Sequence, residues 1–511
     1  MPSLSRFSIA LLGGVAMGLT VAPVSWWPLA WVALVPLWLL IIFEDKSLKK
    51  LLLYALGWGC GYHGLALFWI TGIHPMTWMG VPWLASLAIA LFCWIFITLW
   101  GAAIVVTWTL GMFWVRRTIP EPSPADALYR ILIGTALWCA LEALWSQSPL
   151  WWTTLAYTQS PHNLAILQLG RISGFTTITA VIVAFNGFIA EGFFLSRYTP
   201  RKLAFFLIPL TFGLAGHLLG WNYYHKPVEK STTDAIKIGV IQGNIPNTLK
   251  LYPEGFRRAI EGYTTGYRIL ADRGVDAVLT PETALPYYWD ELALDSSLYR
   301  AILEKGTPIW VGAFGRGENG YTNSLFTVNG DGQVMSRFDK VILVPLGEYV
   351  PFESILGGLI DRLSPLKTRL LPGNATQIFD TPFGRAIVGI CYESAYSEHF
   401  RRQAEMGGEF ILTASNNAHY SAAMPAQHHA QDVMRAIELD RWMARATNTG
   451  YSAFVDPRGN TLWISGLNTY EIHAETIYRR NTRTPYVRFG DWLTKILVIV
   501  AGIAWFWRAM T

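Results

Sequence analysis

Glu282, Lys340 and Cys391 carry three side-chain groups that together perform one kind of chemistry, and each comes directly after a strand-like apolar run. Glu282 follows VDAVLT and stands in TPETALP between Pro281 and Pro286. Lys340 opens the stretch KVILVPLGEYVPF, and Cys391 follows RAIVGI. A thiol becomes a strong nucleophile when a base removes its proton or a nearby cation lowers its pKa. A carboxylate serves as that base and later as the acid, and an ammonium holds the oxyanion of a tetrahedral intermediate. The set therefore describes acyl transfer through a thioester. Taken singly, each residue has a plainer reading, as a solvated loop glutamate, a surface lysine and a packed cysteine. The combination carries the inference.

For the three groups to meet, the strands before them must share one sheet edge. The surrounding sequence supplies such strands: IKIGVIQ (236–242), VDAVLT (275–280), PIWVGAF (308–314), RAIVGI, EFILTAS and SAFVDPRGNTLWI. Residues 322–338 alternate with period two on either side of Asn329, Gly330, Asp331 and Gly332, a hairpin signature. Residues 254–272 read as a helix and 427–446 as an amphipathic helix, while GRGENG (315–320) is a turn and no phosphate loop. Strands interleaved with helices over about 250 residues predict a layered α/β domain.

Outside 222–490 the chain is written for a membrane. It is 52% hydrophobic with 24 tryptophans, and its net charge of +5 is scattered in short clusters, which argues against a nucleic-acid partner. A spanning helix needs about 20 apolar residues. Eight stretches qualify approximately: 7–23, 27–43, 51–72, 83–114, 128–146, 163–193, 203–221 and 491–508. The predicted fold class is thus a polytopic α-helical membrane domain of about eight spans plus an extracytoplasmic α/β domain. Its divisions are 1–221 with seven spans, 222–490 as the catalytic domain, and 491–511 as a closing helix.

Arg6, Lys46, Lys49, Lys50, Arg116, Arg117, Arg197, Arg201, Lys202 and Arg508 fall on one side of that arrangement, whereas 74–82 and 147–162 contain no Lys or Arg. Positive charge stays cytoplasmic, so both termini are predicted inside and 222–490 outside. A second span follows the first almost at once, without a small-x-small cleavage site, so the amino end is not read as a cleaved signal. Trp26, Trp27, Trp78, Trp83, Trp151, Trp152 and Trp221 stand near span ends as an interfacial belt. Cys60, Cys93 and Cys139 lie in spans, so Cys391 has no partner in its domain and is either a buried inert thiol or a reactive one.

The order PETALP, DKVILVPLGEYVPF, GICYES and SNNA, after about seven spans, resembles the apolipoprotein N-acyltransferases, a membrane-embedded branch of the nitrilase superfamily. The resemblance covers nearly the whole chain. It implies Glu282, Lys340 and Cys391 as catalytic residues, with Glu348 from G-E-Y-V-P, Tyr392 and Glu393 after the nucleophile, and Asn416 as supporting or substrate-binding residues. It further implies an αββα sandwich facing the periplasm and a ping-pong reaction at the cell inner membrane. Cys391 takes an acyl chain from a phospholipid and passes it to the amine of a diacylglyceryl-cysteine at an apolipoprotein's amino end. No cofactor or metal is implied, and the expected state is monomeric. Two departures fall where substrate fit, donor preference and rate are set. Lys250 is followed by Leu251 where the family usually has Trp, and SNNAHYS replaces the usual S-N-D-A-W-F-G through Asn417, His419, Tyr420 and Ser421.

Further features have open readings. SPLWWTTLAY (148–157) is either a lipid-docking loop or part of the aromatic belt, and Leu356, Leu359 and Ile360 are either a membrane-dipping arm or a plain amphipathic surface. Glu142 and Arg171 either pair or line a head-group cavity, unless Arg171 sits at the interface. His419, His428 and His429 lack the spacing of a metal framework. Two rival functions remain: a membrane-anchored nitrilase-type amidase, for which one span would suffice as an anchor, and a degenerate scaffold without activity.

Overall fold

The computed structural model describes residues 3–43, 47–198, 202–345, 347–349 and 370–510. Leu356, Leu359, Ile360, Lys46 and Arg201 lie outside the described residues. The chain forms two compact units, one of Met1–Thr71, Ala88–Lys226 and Phe489–Thr511, the other of Gly72–Leu87 and Pro227–Arg488.

The first unit is helical. Among the described residues, Trp83–Thr118, Pro124–Trp145 and Phe175–Leu195 are long and apolar enough to cross a membrane. Other expected spans differ from the sequence reading. Residues 163–193 are cut into Leu164–Leu167, Gly170–Ser173 and the long helix from Phe175, because Gly174 takes φ +70°. Only glycine adopts that backbone without strain. Residues 27–43 are a 3-10 helix, Trp27–Trp31, followed by a short α-helix, Val35–Phe43. The expected span 51–72 is an α-helix only to Ala66. Apolar runs report burial and cannot tell a continuous helix from a broken one.

The buried charged groups Arg130, Glu191 and Glu142 of this unit are paired. Arg130 and Glu191, both almost fully buried, form a two-pronged ion pair at 2.8 and 2.6 Å, and Trp38 Nε1 donates to the same carboxylate. Glu142 accepts from Thr154 Oγ1, Thr179 Oγ1, Leu155 N and Trp138 Nε1. Trp151 and Trp152, assigned on sequence to a lipid-facing belt or docking loop, are buried instead, with their rings against Phe175 and Trp69.

The second unit is a sandwich of two sheets. Its strands are β1 (Ala235–Gln242), β2 (Ala277–Leu279), β3 (Leu285–Tyr288), β4 (Ile309–Gly317), β5 (Gly320–Val328), β6 (Val334–Asp339) and β7 (Phe379–Thr381). They continue with β8 (Gly384–Ile390), β9 (Phe410–Ser415), β10 (Met443–Thr447), β11 (Ala453–Val455), β12 (Thr461–Ile464) and β13 (Glu471–Tyr478). The sheets run β13-β1-β2-β4-β5-β6, with β3 also on β4, and β12-β11-β10-β9-β8-β7.

Strand alternation creates the layers. Ile236, Ile238 and Val240 of β1 join Val388, Ile390, Leu412 and Ala444 in the core between the sheets. Their outward neighbours Ile241, Val278 and Val311 pack on Tyr263, Tyr267 and Leu270 of helix Pro253–Asp272. On the second sheet, Gly389 lets Phe400 of helix Ser397–Glu405 lie on β8, since an added Cβ would come 2.3 Å from its ring. The expected helix 427–446 is corrected: the helix is Ala423–Leu439, fully buried over most of its length, and Met443–Thr447 is the central strand β10. Both faces of β10 are covered, so its sequence shows no alternation.

Candidate active site

Each of the three chemical groups leaves the carboxyl end of its strand where the sequence reading expects it. After β2, Thr280 Oγ1 accepts from Gly312 N at 3.1 Å and Thr283 takes φ +46°, which turns Glu282 out of the sheet. Gly312 makes this approach possible, because a Cβ there would stand 2.0 Å from Pro281 O. After β6, Lys340 N still pairs with Asn323 O of β5 at 2.8 Å. After β8, Cys391 sits at φ +54° in the left-handed region, unusual for a residue with a side chain.

Two contacts hold that strained thiol. The Cys391 carbonyl accepts from His428 Nε2 at 2.7 Å, and Sγ lies 3.8 Å from Asn416 O. Arg445 Nη2 donates to His428 Nδ1 at 2.8 Å, which fixes the proton on Nε2, and Arg445 is itself paired with Asp432. The histidine considered above for metal binding therefore serves the nucleophile's backbone.

The three groups converge. Lys340 Nζ, 1% exposed, lies 2.9 Å from Glu282 Oε1 and 2.7 Å from Glu348 Oε1. Asn323 Nδ2 also donates to Glu282 Oε1, at 2.7 Å, and the Cys391 thiol is within electrostatic reach of the same carboxylate. Lys340 and Asn323 both occupy Oε1, which leaves Oε2 for a proton. Glu348 Oε2 accepts from Val344 N at 2.8 Å, so the second glutamate is locked by its own loop.

Glu393 ties two strand ends together: Oε2 accepts from Ile390 N at 2.7 Å, and Oε1 from Val341 N at 2.6 Å and Ile342 N at 3.1 Å. One carboxylate thus links the main chain next to Cys391 with the main chain next to Lys340. Asn416 contributes its carbonyl to the thiol, while its side chain bonds Asn247 and Asn448. Tyr392 is half-buried with its ring 5.3 Å from Tyr396.

Sequence reasoning missed Asn323, Lys250 as a site residue, and the His428 to Arg445 link. Polar Asn323 inside a buried strand was the one available signal. Lys250 ends the short helix Asn247–Lys250, is buried, and donates from Nζ to Glu282 O at 3.2 Å. Of the departing residues, Leu251 is exposed and His419 stacks on Trp78 with ring centres 6.0 Å apart.

The electrostatics suit proton transfer. Burial alone would raise Glu282, but the Lys340 ammonium beside it, helped by Lys250, holds its carboxyl below the usual range. Burial opposes the Lys340 charge, yet Glu282 and Glu348 keep it well above an ordinary lysine. Burial and repulsion by Glu282 raise Glu348. Burial, then the Glu282 charge, push the Cys391 thiol up to about 12. The resting pair is therefore a neutral thiol beside an ionised base, the state from which general-base attack starts.

As a class, this is an α/β sandwich of the carbon–nitrogen hydrolase type with a cysteine, a glutamate and a lysine at one sheet edge. Residues 237–483 match the carbon-nitrogen hydrolase family model, and residues 13–188 match the apolipoprotein N-acyltransferase N-terminal domain. An apolipoprotein N-acyltransferase of Nostoc sp. is 58% identical, covering 96% of this chain and 98% of its own. Relatives of the same name in Synechocystis sp. and Thermosynechococcus vestitus are 51% and 42% identical, covering 96% and 95% of this chain and 98% and 92% of their own. The chain belongs to the apolipoprotein N-acyltransferase family and is an acyltransferase enzyme of the nitrilase superfamily with membrane-spanning helices.

Proposed function

We propose that this enzyme moves a fatty acyl chain from a phospholipid to the amino-terminal amine of diacylglyceryl-cysteine apolipoproteins, with Cys391 carrying the chain as a thioester. The supporting observation is the convergence of Glu282, Lys340 and Cys391 at one edge of a sheet. In the first half-reaction Sγ attacks the ester carbonyl while the thiol proton passes to Glu282. Two N–H groups of Lys340 face Glu282 and Glu348, so its third meets the oxyanion. Collapse breaks the ester C–O bond, Glu282 returns the proton to the departing alkoxide, and lysophospholipid leaves.

In the second half-reaction the acceptor amine attacks the thioester and gives a proton to Glu282. The C–S bond breaks, and the proton restores the thiol. Glu348 and Glu393 support the centre through Lys340 and the main chain, and Asn416 through its carbonyl on the Cys391 thiol. The α/β unit works on the periplasmic side of the inner membrane with both termini cytoplasmic, as a monomer and without a metal or cofactor. An amidase of the same residues would release small acids from amides, and one membrane span would suffice to anchor it. Incubation with phospholipid and a diacylated lipopeptide separates the two: acylated peptide is the expected product, and hydrolysis of simple amides without it would refute the transferase.

A further inference from the structure

Lys250 is a buried ammonium that the acyl-transfer chemistry above leaves unused. It is 6% exposed, and its hydrogen bond among the described residues goes to a single acceptor, the main-chain carbonyl of Glu282, at 3.2 Å. An ammonium has three donors, and burying one costs several kcal/mol unless nearby negative charge compensates. The compensation is the catalytic cluster itself, because Lys250 interacts electrostatically with both Glu282 and Cys391. With both carboxylates ionised, Glu282, Glu348 and Lys340 carry one net negative charge in a buried site. Moving the thiol proton onto Glu282 leaves that sum unchanged but places the negative charge on sulfur.

We propose that Lys250 is an electrostatic positioning residue of the centre, a second cation that neutralises the Glu282, Glu348 and Lys340 set and lowers the cost of negative charge on Cys391. It acts through Glu282, whose carbonyl anchors it, and not by contact with substrate. The charged and titratable groups facing it are Glu282, Cys391 and His419. Burial lowers its own pKa to about 8, so it is mostly charged at neutral pH and loses its charge in the alkaline range.

The test is the pH profile of iodoacetamide alkylation at Cys391, read by peptide mass on the full-length protein in detergent. An opposite charge at close range shifts a titrating group by about one unit or more. Lys250→Met is expected to slow labelling about tenfold at pH 7, with the gap to wild type narrowing above pH 9 as the wild-type amine loses its proton. Lys250→Arg, which keeps the charge, stays near the wild-type rate. Lys250→Gln keeps a hydrogen-bond donor to Glu282 O without charge, replaces the Met variant should that one not fold, and is expected to be as slow. A folded Met or Gln variant with the wild-type profile overturns the proposal, as does an Arg variant as slow as Met. The inference rests on Glu282 and Cys391 as the reacting pair, and alkylation reads that pair without a lipid or acceptor, so failure of the acyl-transfer reading shows separately as absence of a thioester.

Discussion

At the scale of the residue, the centre is prepared by opposite shifts on two neighbours. Lys340 holds Glu282 below the ordinary carboxylate range, while burial and Glu282 push Cys391 up to about 12. A depressed base stays ionised above the usual value of about 4.3 and loses its charge only as pH falls through its lower pKa. Thioester formation is therefore expected to be flat from pH 6 down to about 4.3 and to fall below it, while alkylation of Cys391 keeps rising through pH 9 without a plateau. Glu282→Gln removes the base but retains the Asn323 and Lys340 contacts in reduced form; it should lower thioester formation by about 10² to 10⁴-fold, in line with loss of a general base, with the fold intact by circular dichroism. These three residues were legible because each follows an apolar strand with a chemically distinctive side chain. Lys250, Asn323 and His428 were not, because their partners are reached across the fold at Glu282 O, Glu282 Oε1 and Cys391 O, and nothing local marks those contacts.

Elements place those groups, and their sequence signals vary with burial. β1, β4, the hairpin of β5 and β6, and β8 were readable from alternation or apolar runs bounded by turn residues. β10 was not, since MARAT places a charged residue, Arg445, in its middle, and Arg445 pairs with Asp432 inside the fold. The run therefore merged with the preceding helix in the sequence reading. The same failure divided 163–193, where Gly174 breaks a mostly apolar stretch into separate helices. At the site, β4 approaches the Glu282 turn closely at Gly312. In Gly312→Ala the new Cβ meets Pro281 O at 2.0 Å. Overpacking of this kind costs about 1–3 kcal/mol. The variant should show a lower melting temperature in detergent and a loss of thioester formation larger than its stability loss explains, because the turn that moves carries Glu282.

For the whole molecule, the question is how charge is tolerated in a chain built for lipid. The helical unit buries Arg130 against Glu191 with both prongs of the guanidinium engaged. Removing one partner strands the other charge, at a cost of about 3–5 kcal/mol. Glu191→Leu should thus lower thermal stability in detergent more than the Arg130→Met, Glu191→Leu double variant does; a double variant less stable than both single ones would contradict that view. The proposed function gives a reason for joining such a unit to a cysteine sandwich: an acyl chain drawn from a bilayer would be parked on a thiol. Exposure of the purified protein to phospholipid without acceptor tests this most directly. The account predicts a hydroxylamine-sensitive fatty acyl mass on the peptide bearing Cys391, discharged when a diacylated lipopeptide is added. Transfer to the lipopeptide that persists in Cys391→Ala, with no acyl adduct ever found on the wild-type cysteine, would contradict it.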